Sequence, residues 1–141
     1  MRFICDAPGG KTWFGMDTEA EAEAESALMN HAVVKFFRRT QEDAAARYAP
    51  PPNAAAFERD IGLKAHLART MPRFLTLRDA DGAGLATAML PPAGVDERGF
   101  RTIIVGPDNA DPYADHADAI AALGRHLGLS LDPERCYPYQ R

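Results

Sequence analysis

The chain has 141 residues, 46% of them hydrophobic and 26% charged, with a net charge of −4. A domain of this size buries enough apolar surface to fold without a metal or a disulfide, and its acidic balance speaks against a dedicated nucleic-acid or anionic-membrane binder. No apolar run approaches the ~20 residues that span a bilayer, and Asp6 interrupts the apolar start before an export signal forms, so the expectation is one soluble, cytoplasmic domain covering residues 1–141.

Arg2 to Cys5 and Lys11 to Phe14 read as the strands of a hairpin turned through Asp6-Ala7-Pro8-Gly9-Gly10. Pro8 fixes the first dihedral of a type II turn, and Gly9 accepts the positive φ of the next position. Thr18 and Glu21 form a capping box. It opens a helix predicted to run from about Glu19 to about Tyr48, where Pro50-Pro51-Pro52 removes three donors and acts as a stiff connector. Leu28, Met29, Ala32, Val33, Phe36 and Phe37 recur at intervals of three and four, as a buried stripe does. Glu19, Glu21, Glu23 and Glu25 alternate with small residues, which spreads charge around a helix, so this end is expected to project into solvent.

Asn53 is the predicted cap of a second helix from Ala54 to about Thr70, with Phe57, Ile61, Lys64 or Ala65, and Ala68 along its stripe. Gly62 is a poor helix former in the middle of it. Arg73 to Arg78 and Leu85 to Leu90 read as strands around an Asp79-Ala80-Asp81-Gly82 turn, and Gly99 to Val105 as a further strand. Asp111 and Pro112 start a third helix that Gly128 ends, with Tyr113, Ala117, Ile120, Gly124 and Leu127 on its buried face. The order ββ-α-α-βββ-α predicts an α+β domain, a mostly antiparallel sheet of about five strands covered by helices on one face.

Motifs with chemistry are few. Gly10-Lys11-Thr12 resembles the end of a phosphate loop, but the residues after it look like strand where a phosphate loop needs a helix start. Asp79 to Gly82 imitates a calcium loop whose twelfth position would be Leu90, not the required glutamate. Asp108, Asp111, Asp115, His116 and Asp118 are dense, yet acidic residues at a helix start have an electrostatic explanation of their own. His31, His66, His116 and His126 show no metal-ligand spacing, and Cys5 and Cys136 lack a CxxC neighbour and read as free thiols. No metal and no cofactor are expected.

Charge is unevenly placed: residues 35–78 hold nine basic and four acidic side chains, against two and six before them and five and ten after. The expected function is therefore a binding protein acting through a helical face with a basic and aromatic patch. Trp13, taken as exposed, and Lys35, Arg38, Arg39, Arg69 and Arg73 are its candidate contact residues, a protein is the expected partner, nucleic acid is disfavoured, and self-association is left open. The alternative is a small-molecule binder or enzyme with a pocket between sheet and helices, lined by Trp13, His66 and the Asp115-His116 pair.

Overall fold

The computed structural model describes residues 1–137. Strands β1 (Arg2–Ala7) and β2 (Lys11–Met16) are joined by a turn in which both Gly9 and Gly10 take positive φ, 79° and 72°. Helices α1 (Glu19–Met29), α2 (Val33–Ala46) and α3 (Ala56–Thr70) follow, then β3 (Arg73–Arg78), β4 (Gly84–Leu90), β5 (Ile103–Val105) and α4 (Tyr113–Leu127). The five strands lie in chain order, and every neighbouring pair is antiparallel. The turn between β3 and β4 is closed by Asp79, whose carboxylate accepts from the amides of Asp81 and Ala83. The α+β class and the five-stranded antiparallel sheet agree with the sequence pattern.

The helices, however, cover both faces of the sheet rather than one. Successive strand residues point to opposite sides. Leu75 and Leu77 share one cluster with Trp13, Ile104 and the α4 residues Ala119, Ile120 and Leu123. Phe74 and Met16 share another with Ala22 of α1 and with Val33 and Phe37 of α2, the Phe37 and Phe74 rings lying 5.1 Å apart. Central strand β3 is thus buried on both sides, its four inner residues Phe74 to Leu77 all inaccessible.

Three local expectations fail for tertiary reasons. The predicted long helix breaks at Asn30, which takes the left-handed conformation (φ 52°) that ends α1 while its amide and that of His31 both donate to the Ser26 carbonyl. The break lets α1 and α2 each turn a short stripe inward, Ala22, Glu25 and Met29 in one and Val33, Phe37 and Ala44 in the other. The acidic start therefore lies along the sheet instead of projecting, although its capping box forms as expected, with Glu21 N–H donating to Thr18 Oγ1 at 3.2 Å. Helix α3 begins at Ala56 without a side-chain cap, Asn53 lying outside it, and its predicted buried stripe faces outward: Phe57 is 65% and Ile61 64% exposed. The last strand is shorter than predicted: Gly99 ends a 3₁₀ turn begun at Glu97, and the strand starts only at Ile103.

Trp13, expected on the surface, has no solvent contact. Its indole N–H donates to the Ala119 carbonyl at 2.9 Å and joins β2 to α4 through the centre of the core. Buried indoles need such a partner. Trp13→Phe removes the donor and part of the volume, so it is expected to cost about 1–3 kcal/mol of unfolding free energy. Urea unfolding followed by circular dichroism measures this; a loss below ~0.5 kcal/mol, the range of an ordinary surface change, would show that the bond is incidental.

Candidate functional site

The basic residues of the middle segment are spread over α2, α3 and β3. Lys35, Arg38 and Arg39 are exposed on α2, and Arg69 on α3. Arg38 turns back to the acidic helix, its Nε 3.2 Å from Glu19 and its Nη2 3.8 Å from Glu23. Arg39 lies over the half-exposed Phe36 ring at 6.0 Å. Arg73, at the start of β3, is half-buried and donates to the Pro91 carbonyl at 2.8 Å, and burial draws its guanidinium pKa down. It shares a groove of about 860 Å³ with Lys64, Phe37, Leu67 and Met71. Three of the six candidate contact residues, Arg38, Arg39 and Arg73, thus have partners inside the chain, and a fourth, Trp13, is core.

Helix α3 is held to α2 by specific packing. The His66 Nε2–H donates to the Ala44 carbonyl at 2.8 Å, and the His66 ring lies 5.3 Å from that of Tyr48. Gly62 explains itself here, since a side chain at that position would collide with the Tyr48 hydroxyl. Only one side of α3 is engaged in this way, and none of its residues is fully buried.

The pocket expected from Trp13, His66 and Asp115-His116 does not form. Trp13 is inside the sheet–α4 core and His66 lies between α2 and α3. His116 faces Lys11, whose ammonium donates to Nδ1 at 3.0 Å; burial and then the Lys11 charge pull the imidazole below the usual histidine range. Lys11 itself opens strand β2, so no helix follows the phosphate-loop lookalike. Asp111 and Asp118 accept from the Tyr113 and Ala119 amides near the start of α4. Among the described residues, no three His, Cys, Asp or Glu side chains group to hold a metal, and no helix is long and apolar enough to cross a membrane.

A polar network that sequence reading missed lies beneath α1. Glu25 is fully buried; Arg78 Nη2 donates to one of its oxygens at 2.7 Å and the Thr87 hydroxyl to the other at 2.5 Å. His31 Nε2 lies 2.8 Å from Thr87 Oγ1. Because the single hydroxyl proton goes to Glu25, Nε2 is the donor in that contact, and Nδ1 is left bare to accept from the Val33 amide at 3.4 Å. His31 and Thr87 also form the polar end of an apolar cavity of about 310 Å³ walled by Val33, Met89, Ile103 and Val105. The order resembles a nucleophile, base and acid, but the protons run the wrong way: Thr87 is already committed to the carboxylate and no bare imidazole nitrogen faces it. The available signal was that Glu25 lies three residues after Ala22 and four before Met29, on the inward stripe.

Comparison with protein-family models, with curated proteins and with solved structures returns no match.

Burial lowers the His31 pKa, with its own backbone and the Glu25 charge pulling weakly the other way. The unfolded chain then takes up this proton first, so the contribution of a neutral His31 is complete above about pH 6.5 and is lost as pH falls below it. His116 acts in the same sense. Unfolding free energy is expected to decline from pH 7.5 to 5.5, and His31→Gln to flatten part of that decline; an unchanged slope in the variant would remove His31 from the account.

Proposed function

We propose that this protein acts by binding another protein through the α2–α3 layer, in a cytoplasmic setting that suits its two buried free thiols. One observation carries the reading: α3 buries none of its residues and leaves Phe57 and Ile61 mostly exposed one turn apart on the same side. Scattered exposed hydrophobics need no explanation, whereas adjacent ones rimmed by charge mark contact surfaces. Lys64 and Arg69 supply that rim on α3, and Phe36 with Arg39 and Lys35 extends an aromatic and basic character along α2. The overall acidity supports a protein rather than a nucleic acid as partner.

A photoreactive phenylalanine analogue at position 61 is expected to give an adduct of discrete mass on irradiation in cell extract, one that Phe57→Asp abolishes, while the same analogue at exposed position 125 gives none. Equal labelling at both positions, or none at either, would overturn the reading.

A second reading is favoured by the cavity beside His31, whose walls are mostly apolar and whose His31 and Thr87 groups already have partners. It suits a small apolar molecule, with binding and no chemistry. Toluene added to labelled protein should shift the amide signals of Val33, Met89 and Ile103 saturably; shifts spread over α3 instead would discard it.

A further inference from the structure

We infer that the partner of α3 is a second copy of this chain, docked antiparallel across a two-fold axis through the middle of the helix. This rests on the reading of α3 as a contact surface and names its occupant. Gly62, Leu63, His66 and Leu67 are the half-buried residues of α3 and define the side packed toward α2. With about 100° between successive residues, the opposite side is centred on Ile61 and Ala68, with Phe57 and Ala65 beside them; Ala68 and Lys64 also line the groove that α3 shares with α2 and β3.

Size is graded along this stripe. Its first half carries Phe57 and Ile61, its second half Ala65 and Ala68. Antiparallel self-pairing about Leu63 sets Ile61 opposite Ala65 of the other copy and brings Phe57 to within one residue of Ala68, large on small at each step. Parallel pairing would stack Phe57 on Phe57 and leave the alanines facing a gap, which close packing disfavours.

Charge makes the same choice independently. Glu58 and Arg69 lie along one edge of the stripe, Asp60 and Lys64 along the other. An antiparallel pair brings each edge against the same edge of its partner. Glu58 then meets Arg69 of the other copy and Asp60 meets Lys64, and the two-fold axis repeats both pairs. Among the described residues, none of these four side chains is in an ion pair within the chain. Parallel docking would oppose like charges. Exposed pairs of this kind select an arrangement more than they strengthen it. A single helix pair also covers less than the ~1,600 Å² of a standard interface, so a weak and concentration-dependent dimer is expected.

Sedimentation equilibrium of the full chain over a roughly hundredfold concentration range should show the average mass rising from 15.4 kDa toward twice that value. Ile61→Asp should stay monomeric with an unchanged circular dichroism spectrum. Glu58→Arg should weaken the dimer about tenfold, and Glu58→Arg with Arg69→Glu should restore it, since the pair is remade in reverse. A dimer indifferent to the charge reversal would overturn the antiparallel arrangement. A chain that stays monomeric throughout would overturn self-association; if position 61 then still crosslinks to a protein of different mass, the contact-surface reading survives with another partner, and if it does not, both fall.

Discussion

The fold turns on where a single carboxylate is placed. Glu25 sits on α1 with no solvent contact, and a buried carboxylate is tolerable only when its oxygens are bonded and its charge is paired. Arg78 of β3 and Thr87 of β4 meet that demand, one oxygen each, so a single residue fixes α1 against two neighbouring strands. Removing one partner of such a pair typically costs about 3–5 kcal/mol, more than most single apolar contacts in a domain of this size. His31 extends the network by donating to Thr87, and it reaches that hydroxyl only because the chain leaves the helix at Asn30. The break between α1 and α2 and the polar network are therefore one feature. In this network the Thr87 hydroxyl proton is committed to Glu25, so no bare imidazole nitrogen faces that hydroxyl.

On the other face the equivalent role falls to Trp13. The buried polar network orients α1, while the indole bond to Ala119 sets α4, and around it the contacts are apolar: Leu75, Leu77, Ile104, Ile120 and Leu123. The strands between these covers are shielded on both sides, so short, small residues such as Ala86 and Ala88 can be fully buried in β4. Gly84 at the start of β4 allows the end of α1 to approach, because a side chain there would meet the Met29 sulfur and Leu28. Strand spacing and helix approach are thus set by small residues where bulky ones would hold the layers apart.

What the sequence disclosed was whatever depends on neighbours a few residues away. The Thr18–Glu21 capping box, the Asp79 turn, the glycine turn after Pro8 and the left-handed Gly128 at the end of α4 all follow from local backbone chemistry, and all formed where expected. What it concealed depends on which layer lies against which. Trp13 in a terminal hairpin looks exposed until β3 and α4 are placed beside it. The glutamates of α1 alternate with small residues, and that period of two masked the fact that Glu25 shares an inward face with Ala22 and Met29. Ser26 and Asn30, which end the helix, carry no strong breaker signal by themselves; the tertiary demand on His31 decides the point.

Helix α3 shows the same limit in its sharpest form and gives it meaning. It has the same length as α4, and its apolar residues recur at helical spacing, yet α4 buries Ala119, Ile120, Leu123 and Gly124 while α3 buries nothing. Hydrophobicity does not account for that contrast; position does. One face of the sheet is taken by α4, and on the other α1 and α2 supply the helical residues of the core cluster, so α3 packs on a helix and reaches the sheet only through the groove at its end. Its attachment uses Gly62, Leu63, His66 and Leu67, leaving Phe57 and Ile61 with no role in the monomer core. Exposed apolar groups on a helix gain nothing for folding and lower solubility, and polar residues at these two positions would fold equally well. The exposed stripe is therefore the one feature of α3 that the proposed contact with another chain accounts for and that the monomer core does not.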